Sequence, residues 1–422
     1  MVYNILDNIF PGEYRMKTHL RKFITLILTV SLIFGSAVSL TSCSYAAGFL
    51  GDVLDNIGNG ANQDTENGED ENLTAQRNAL LSSVEVVATI EIETGDSYYP
   101  GISNTEPRTM AGSGVIYKLD KTTGDAYIIT NYHVVYHNKG VGEKISNDIK
   151  VYLYGLVADS YAIEAEYVGG SFNYDIAVLK VTDSELLRDT PVTAATLGDS
   201  ELLRMLDPVI AIGNAEGEGF SATRGGVSVP SEYLTMKGPD KLTDITIRVI
   251  RVDAPINEGN SGGGLFNAEG SLVGIVNAKK IGEKIDNIAY AIPINLAVAV
   301  AENIVYHSTS ESSGLCKYLL GVTITEGDLS IDVDNSGEVV RTARVTVSDV
   351  TATSPVRSSV KAGDCILEIS INGQATAVTA LHHVTETMLD ARPGDTVTLL
   401  IERGNSTHTA TVTVTAEMGV IQ

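Results

Sequence analysis

The sequence predicts a mainly β protein with two folded units. From residue 80 onward, short runs of β-branched and aromatic residues alternate with turn residues, which is typical of an all-β barrel or sandwich. The runs in the first unit lie at residues 84–92, 114–117, 126–130, 149–154, 175–181, 208–212, 245–252 and 271–277. The first strong helical pattern, at 295–305, closes this unit. A second β-rich unit follows and contains one helical pattern, at 377–389.

Residues 1–42 have the layout of a secretory signal sequence. A short basic segment, 16–22, precedes the uncharged stretch 23–38, and small residues follow. The next residues, Leu40-Thr41-Ser42-Cys43, resemble a bacterial lipobox, in which the cysteine is acylated. We therefore expect an extracytoplasmic lipoprotein that is anchored to the bacterial cell membrane through Cys43, at the cell surface or in the periplasm. A signal anchor is the alternative, because the apolar stretch is long enough to span a bilayer. Met16 begins a more orthodox signal than Met1.

Residues 43–78 are expected to form a flexible acidic tether. The stretch 64–71 holds five acidic residues and no basic one, so it offers little apolar surface to offset the entropy lost on ordering. The whole 422-residue chain has 29 basic and 53 acidic residues, a net charge of −24, and no tryptophan. Phosphate binding relies on Lys and Arg, so this balance argues against a nucleic acid partner.

A serine flanked by glycines is the most informative chemical pattern. The motif Gly259-Asn260-Ser261-Gly262-Gly263 requires a turn that exposes a hydroxyl and backbone N–H groups, as nucleophilic acyl transfer does. His133 follows the predicted strand 126–130, and Asp175 begins the run 175–181. Taken singly, such residues are more often structural. Their order, with gaps of 42 and 86 residues, fits a double β-barrel serine protease.

Five motifs in order make the chain resemble the HtrA/Deg family of exported serine proteases. They are Gly112-Ser113-Gly114-Val115-Ile116, Thr130-Asn131-Tyr132-His133-Val134-Val135, Asp175-Ile176-Ala177-Val178-Leu179-Lys180-Val181, Gly259-Asn260-Ser261-Gly262-Gly263 and Ala289-Tyr290-Ala291-Ile292-Pro293. The resemblance covers roughly residues 111–415. It implies a chymotrypsin-like domain with two six-stranded β-barrels over residues 79–306. It also implies a homotrimer that needs no cofactor.

The resemblance assigns a role to each residue of the chemical pattern. Ser261 would be the nucleophile, His133 its general base, and Asp175 the group that orients the imidazole. The backbone N–H groups of Gly259 and Ser261, with Asn260 between them, would form the oxyanion hole. No metal ion takes part in this chemistry.

The primary substrate pocket is expected to be apolar. In the chymotrypsin-like architecture, the floor of this pocket lies six residues before the nucleophile, where this chain has Pro255 and no aspartate. We therefore expect Ala, Val, Leu or Ile before the cleaved bond. The residues expected to form the pocket are Pro255, Ile256, Ile275 and Val276.

The second unit, residues 318–417, resembles a PDZ domain, which has an α+β fold, and residues 307–317 are expected to link it to the first unit. The specific segment is Gly363-Asp364-Cys365-Ile366-Leu367-Glu368-Ile369-Ser370-Ile371-Asn372-Gly373. PDZ domains bind an extended peptide C-terminus beside a sheet edge. The loop Leu320-Gly321-Val322 would donate N–H groups to the terminal carboxylate. The apolar side chains of the helical pattern, Leu381, Val384 and Met388, would line the groove or belong to the core.

Two residue pairs suggest other chemistry that the sequence does not support. His382 and His383 are adjacent on a predicted helix, so we expect their side chains to diverge, which makes a metal site improbable. Three cysteines are too few for a disulfide framework or a Cys-rich zinc site. Cys365 is expected to be a buried apolar residue, and a disulfide to Cys316 remains an open alternative.

The sequence thus predicts a membrane-tethered serine endopeptidase that cleaves misfolded or unfolded envelope proteins and serves protein quality control. Its partners would be such proteins and their C-termini. The alternative is a holdase or binding protein with a latent or weakly active protease domain. Two departures from the family pattern, Glu258 and Gly264, put the rigidity of the serine loop in doubt, and Glu258 is the best support for this alternative.

Overall fold

The computed structural model describes residues 69–96, 103–156, 158–214, 219–279, 288–308, 313–333 and 339–422. The expected signal sequence and Cys43 lie outside these residues. Among the helices within them, none is long and apolar enough to cross a membrane. The last ten residues of the expected tether form helix α1 (Glu69–Asn78). This helix is held to the rest of the chain because Gln76 donates to the carbonyl of Ala268 at 2.8 Å and accepts from Arg224 at 2.6 Å.

The first barrel contains six antiparallel strands that close in the order β1-β2-β3-β6-β5-β4. These strands are β1 (Ser83–Asp96), β2 (Ser103–Asp120), β3 (Asp125–Thr130), β4 (Asp148–Leu153), β5 (Ile163–Ser171) and β6 (Ile176–Val181). A one-turn helix, α2 (Tyr132–Val135), follows β3, and a second short helix, α3 (Glu185–Asp189), follows β6. Strands β3 and β6 are neighbours, so the residues that adjoin their paired ends lie close together.

The second barrel has the same number of strands, in the order β10-β11-β12-β9-β8-β7. They are β7 (Pro208–Gly213), β8 (Ser221–Lys237), β9 (Asp244–Val252), β10 (Gly264–Asn267), β11 (Leu272–Lys279) and β12 (Ala289–Pro293). Two closed six-stranded barrels confirm the predicted architecture. The segment that carries Ser261 immediately precedes β10, which pairs with β7 on one side and β11 on the other.

Helix α4 (Ile294–His307) closes the two-barrel unit, where the sequence pattern placed a helix. Its residues Leu296, Val300 and Ile304 recur every four positions, lie on one face, and have no solvent exposure. They join a cluster of buried apolar side chains that draws on strands of both barrels. The helix therefore packs against both barrels at once.

The C-terminal unit has an α+β architecture and confirms the predicted PDZ fold class. Strands β14 (Val322–Val333), β15 (Val339–Val350), β16 (Cys365–Ile371), β18 (Thr396–Arg403) and β19 (Ser406–Thr413) pair in sequence, and β17 (Gln374–Ala377) pairs with β16. Strand β13 (Cys316–Tyr318) pairs with β20 (Gly419–Ile421). Helix α5 covers only Leu381–Thr387, and a 3₁₀ turn, Met388–Asp390, continues it.

The apolar side chains of α5 and of the 3₁₀ turn differ in burial. Val384 and Met388 are buried with the other core residues of this unit, whereas Leu381 is half-buried. Cys316 and Cys365 are both buried and carry free thiols. The disulfide alternative is therefore not observed, and Cys365 occupies the expected apolar position.

Candidate active site

The first barrel brings His133 and Asp175 together. His133 lies on α2, directly after β3, and Asp175 directly precedes β6. Because Thr130 of β3 pairs with Ala177 of β6, the residues that adjoin these strand ends face one another. Nδ1 of His133 lies 2.7 Å from Oδ2 of Asp175, and the backbone N–H of His133 donates to Oδ1 at 2.9 Å. This carboxylate therefore fixes the orientation of the imidazole.

The pair also sets the basicity of the imidazole. Burial lowers the pKa of His133, but the negative charge of Asp175 and its hydrogen bond raise this pKa by more. The positive charge of Lys241 lowers the pKa of His133 slightly. The net result is a pKa above the ordinary value of 6.5. His133 is thus a stronger base than a free histidine.

Asp175 is held on several sides. Its φ of +50° lies in the left-handed region, which aspartate tolerates better than most residues. The amide of Asn131 donates to the Asp175 carbonyl at 2.8 Å, and the amide of Asn277 donates to Oδ2 at 2.7 Å. Only 5% of Asp175 is exposed. The Asn277 amide and the backbone N–H of His133 stabilise a buried carboxylate that would otherwise be costly, whereas Asn131 fixes the backbone of Asp175.

Asn277 is a site residue that the sequence motifs did not predict. It ends the apolar run 271–277 and is 1% exposed. A polar residue at the end of a mainly apolar run was the available signal. The contact with Asp175 depends on how the second barrel meets the first, which the run itself does not indicate.

Ser261 belongs to the nucleophile loop, which we define as residues 257–263, at the start of the second barrel's β10. Among the described residues, its hydroxyl has one hydrogen-bond partner, the backbone carbonyl of Asn277, at 2.9 Å. Ser261 is therefore hydrogen-bonded to Asn277, the residue that also supports Asp175. In this arrangement His133 and Asp175 are joined, whereas the Ser261 hydroxyl donates to a carbonyl instead of to His133. Catalytic hydrogen bonds commonly form only when substrate binds.

The nucleophile loop presents two free backbone donors. Neither the N–H of Gly259 nor that of Ser261 donates to an acceptor within the described part of the chain. Gly259 has a φ of +91°, a conformation that favours glycine. The two donors flank Asn260, which is 3% exposed. Free N–H groups on either side of one residue are what an oxyanion hole requires.

The two departures from the family pattern differ in their surroundings. Glu258 is exposed to solvent, so its charge is not buried in the loop. Gly264 is buried, and a Cβ at this position would lie 2.3 Å from the ring of Phe266. A larger residue therefore cannot replace Gly264 unless Phe266 moves. Glycine here follows from packing.

Comparisons with known proteins agree with this geometry. A family model described as a trypsin-like peptidase domain matches residues 112–275, and a PDZ domain model matches residues 319–414. The serine protease Do-like HtrA of Lactococcus lactis subsp. lactis (strain IL1403) is 33% identical over 315 residues, which cover 71% of this chain and 69% of the relative. This chain belongs to the HtrA family of serine proteases.

A second relative and a solved structure support this membership. The serine protease Do-like HtrA of Bacillus subtilis (strain 168) is 32% identical over 317 residues, or 73% of this chain and 64% of the relative. The solved structure of the HtrA-type protease AlgW with decapeptide has a TM-score of 0.50 and 26% identity. The match covers 82% of this chain and 98% of that one. The family likeness therefore extends over both units.

Within this HtrA protein, the expected pocket residues differ in exposure. Pro255 is exposed beside the nucleophile loop. Ile256, Ile275 and Val276 are 3%, 0% and 0% exposed, and they pack in the apolar clusters of the barrels. Of the four, only Pro255 presents its side chain to solvent. The apolar pocket therefore stays a prediction.

The PDZ loop, Leu320-Gly321-Val322, has a left-handed backbone conformation at its centre. Gly321 has a φ of +66°, and the N–H groups of Leu320 and Gly321 donate to no acceptor among the described residues. Two hydrogen bonds hold the carbonyl groups of this loop. The N–H of Thr351 donates to the Gly321 carbonyl at 2.9 Å. The hydroxyl of Ser354 donates to the Leu320 carbonyl at 2.7 Å. Val322 begins strand β14, at the end of this loop.

An ionic cluster joins the PDZ domain to the protease domain. Arg248 is 2% exposed and donates Nε and Nη2 to Glu386 of α5 at 2.7 and 2.5 Å. Its Nη1 lies 3.0 Å from Glu201. His382 and His383 both approach Glu201, at 3.3 and 3.7 Å, and their rings lie 4.3 Å apart. The prediction that these two side chains diverge is wrong, because Glu201 attracts both.

This cluster has the chemistry of a hydrogen-bond network. The backbone N–H of Thr379 donates to Nδ1 of His383 at 3.1 Å, so the neutral ring carries its proton on Nε2, the atom that faces Glu201. That atom is then a donor and has no lone pair for a metal ion. Burial raises the pKa of Glu201, but hydrogen bonds from His382 and His383 and the charge of Arg248 lower it well below the ordinary value.

Proposed function

We propose that this HtrA protein is a serine endopeptidase that hydrolyses peptide bonds through an acyl-enzyme. Ser261 is the nucleophile, His133 the general base, and Asp175 the carboxylate that orients His133. The oxyanion hole consists of the Gly259 and Ser261 N–H groups, with Asn260 between them. The observation that carries this proposal is the 2.7 Å contact between His133 and Asp175. It lies beside a loop in which the N–H groups of Gly259 and Ser261 have no acceptor among the described residues.

The proposed reaction uses each group in turn. His133 Nε2 takes the proton from the Ser261 hydroxyl while the serine oxygen attacks the substrate carbonyl carbon. The developing negative charge on the carbonyl oxygen is stabilised by the N–H groups of Gly259 and Ser261. Protonated His133 then gives its proton to the leaving amine, which leaves an acyl-serine. Water, activated by His133, hydrolyses that ester and restores the hydroxyl.

The substrates we propose are misfolded or unfolded proteins of the bacterial envelope. An unfolded chain can enter a site in extended form, and an apolar residue before the cleaved bond suits the pocket near Pro255. The PDZ loop Leu320-Gly321-Val322 would capture an exposed C-terminus, for which its free N–H groups and positive φ are suited. The protein would work in quality control outside the cytoplasm.

The proposal includes how the protein is held and assembled. The signal-like segment 1–42 and the lipobox favour export and a lipid on Cys43, which would anchor the protein to the membrane. Residues between Cys43 and α1 would then be the tether. We further propose a homotrimer built through the protease domains, by analogy with the family. Sedimentation equilibrium of the purified chain tests the trimer, and a monomer would contradict it.

A latent protease that acts as a holdase is the second candidate. The observation in its favour is that the Ser261 hydroxyl donates to the Asn277 carbonyl instead of to His133. The two functions differ in turnover. A holdase would keep unfolded casein soluble without cleaving it, whereas a protease would release peptides.

Casein hydrolysis by the purified full-length chain separates these functions. We expect wild type to release peptides and Ser261→Ala to release none. Ser358→Ala, which changes an exposed serine of the PDZ domain, is the matched control and should retain full activity. Equal and negligible hydrolysis by wild type and Ser261→Ala would contradict the protease proposal and favour the holdase.

A further inference from the structure

Ser113 forms hydrogen bonds with the nucleophile loop, but it has no role in the reaction proposed above. It lies on β2 of the first barrel and has no solvent exposure. Its hydroxyl donates to the carbonyl of Gly259 at 2.8 Å and accepts the N–H of Asn214 at 2.9 Å. Its own N–H donates to the carbonyl of Ser261 at 2.8 Å. One residue of the first barrel thus bonds the nucleophile loop twice and the end of β7 once.

Glycines allow this close approach. A Cβ on Gly262 would lie 2.1 Å from the Ser113 carbonyl oxygen, and one on Gly213 would lie 2.9 Å from the Ser113 hydroxyl. On the neighbouring position of β2, a Cβ on Gly112 would lie 2.7 Å from Val134. No side chain fits at these three places without displacement of neighbouring atoms. The loop, β7 and β2 are therefore packed around the Ser113 hydroxyl.

The peptide bond between Gly259 and Asn260 is the element that Ser113 holds. Its carbonyl accepts from the Ser113 hydroxyl, and its N–H donates to the carbonyl of Asn257 at 3.2 Å. This peptide separates the two free N–H groups of Gly259 and Ser261. The bond from Ser113 fixes this part of the loop to the first barrel. Without that bond, the loop could shift, and the Gly259 N–H would then move relative to the Ser261 N–H.

We propose that Ser113 is a positioning residue that keeps the two oxyanion-hole donors convergent, by fixing the peptide bond between Gly259 and Asn260 from the other barrel. The inference rests on the proposed function. Ser113 touches neither the substrate nor the reacting atoms in this scheme. Its effect is exerted on the transition state and the tetrahedral intermediate, because negative charge develops on the carbonyl oxygen only there.

The first measurement compares wild type with Ser113→Ala, using the full-length chain and a chromogenic peptide that ends in valine at the cleaved bond. Loss of one oxyanion donor lowers kcat about 10²–10³-fold, so loss of a group that only positions the donors should lower kcat by about 10–100-fold. KM should stay within about twofold, because ground-state binding does not use these donors. Active-site concentration is determined for each variant.

The second measurement uses a peptide aldehyde that ends in valinal, whose carbonyl carbon adds to the Ser261 oxygen and places its own oxygen in the oxyanion hole. The inhibition constant of the aldehyde should rise in Ser113→Ala by the factor by which kcat/KM falls. The product peptide, which lacks the tetrahedral carbon, should bind unchanged. A purely structural role of Ser113 would leave the ratio between aldehyde and product affinity as it is in wild type.

Ser82→Ala is the matched control. Ser82 is also buried and donates its hydroxyl to a backbone carbonyl, that of Ala79, at 2.9 Å, but it makes no contact with the nucleophile loop. The Ser82→Ala variant should keep the wild-type kcat and aldehyde affinity, even if its unfolding temperature changes. If Ser113→Ala fails to fold, Ser113→Cys provides the test, because a thiol donates only weakly and should give the same selective loss.

The possible results distinguish the two proposals. An unchanged kcat in Ser113→Ala or Ser113→Cys, or an unchanged aldehyde affinity, would overturn the role of Ser113 while leaving the protease proposal intact. An equal loss in Ser82→Ala would overturn it as well. No hydrolysis and no aldehyde binding by wild type would overturn the protease proposal, and the inference about Ser113 with it.

Discussion

Asn277 meets Asp175 and Ser261 through different atoms. Its side-chain amide lies 2.7 Å from Oδ2 of Asp175, and its backbone carbonyl lies 2.9 Å from the Ser261 hydroxyl. One residue of the second barrel therefore supports the Asp175 carboxylate of the first barrel and also accepts a hydrogen bond from the Ser261 hydroxyl. The amide shares Oδ2 with Nδ1 of His133, so its removal should be felt at the base.

We expect Asn277→Ala to change the pH dependence of the enzyme as well as its rate. Without the amide, Oδ2 of Asp175 interacts with His133 alone, which should raise the pKa of His133 further. The acidic limb of kcat/KM should therefore move to higher pH, and kcat should fall by about tenfold as the carboxylate loses a support. Asn277→Ser, which retains a donor, should recover part of both effects. An acidic limb at the wild-type pH in Asn277→Ala would contradict this role.

The wild-type pH profile follows from the raised pKa of His133. Only the neutral imidazole accepts the serine proton, so kcat/KM should fall as the pH decreases through a value above 6.5. Lys241→Gln removes a positive charge that lowers this pKa, so it should shift the acidic limb to higher pH, whereas Lys241→Arg should not. A profile that is flat from about pH 5 to pH 8 would show that His133 is not an obligatory base.

Arg248 should contribute strongly to stability at the interface between the domains. Arg248→Met would leave Glu201 and Glu386 without their shared partner, and breaking a buried ion pair costs about 3–5 kcal/mol. Urea unfolding followed by circular dichroism measures this loss. Arg344→Met is the matched control, because Arg344 is half-exposed and its pair with Glu402 should be worth about 0–1 kcal/mol. If both variants lose the same free energy of unfolding, the buried ion pairs of Arg248 contribute no more to stability than the exposed pair of Arg344.

Gly321 should be required for binding of peptide C-termini. Gly321→Ala would strain a φ of +66° and place a Cβ 2.6 Å from Thr351, which should shift the loop and raise the Kd of a labelled peptide by about tenfold. Gly404→Ala is the control, because Gly404 has a φ of +60° but open space around its Cβ position. Fluorescence anisotropy measures both variants, and equal weakening by the two would contradict the assignment of the loop.

The same Gly321 variant separates two roles of the PDZ domain. If this domain only tethers substrates, cleavage of small chromogenic peptides should be unchanged. If it is an activating switch, stimulation of that cleavage by added C-terminal peptides should be lost in Gly321→Ala. The Gly404→Ala variant should keep the stimulation in either case.

Lipid attachment is expected at Cys43. Because Leu40-Thr41-Ser42-Cys43 resembles a lipobox, Cys43→Ala should abolish incorporation of a fatty acid analogue during metabolic labelling. Cys316→Ala is a suitable comparison, since this thiol is buried in the folded domain and should not be acylated. Undiminished label in Cys43→Ala would exclude this cysteine as the acylation site.

The sequence predicted the architecture because β-branched runs are a local property. The strands that the sequence did not predict contain residues with a low preference for strands, or they are very short. Strand β5 contains Gly169 and Gly170, β8 contains Gly225, Gly226 and Pro230, and β10 has four residues. Pairing with neighbours in a closed barrel holds these segments extended, and a single run carries no information about its neighbours.

The candidate site was predicted only where a motif lies in one segment of chain. His133, Asp175 and Ser261 stand in recognisable local patterns, and the structure brings His133 to Asp175. Asn277 and the hydroxyl of Ser113 act across the junction of the two barrels, so their partners are more than one hundred residues away in sequence. His382 and His383 converge for a similar reason, because the partner that attracts them lies in another domain.

The division of the proposed catalytic groups between two barrels has a consequence for how the protein matures. The first barrel, complete at residue 181, supplies His133 and Asp175 but no nucleophile, and Ser261 appears only with the second barrel. A growing or partly translocated chain that has folded one barrel therefore holds a base without an attacking group. Under the proposed mechanism, peptide-bond hydrolysis would therefore begin only when both barrels have closed and packed against each other, so an unfinished chain could not cleave itself or its neighbours.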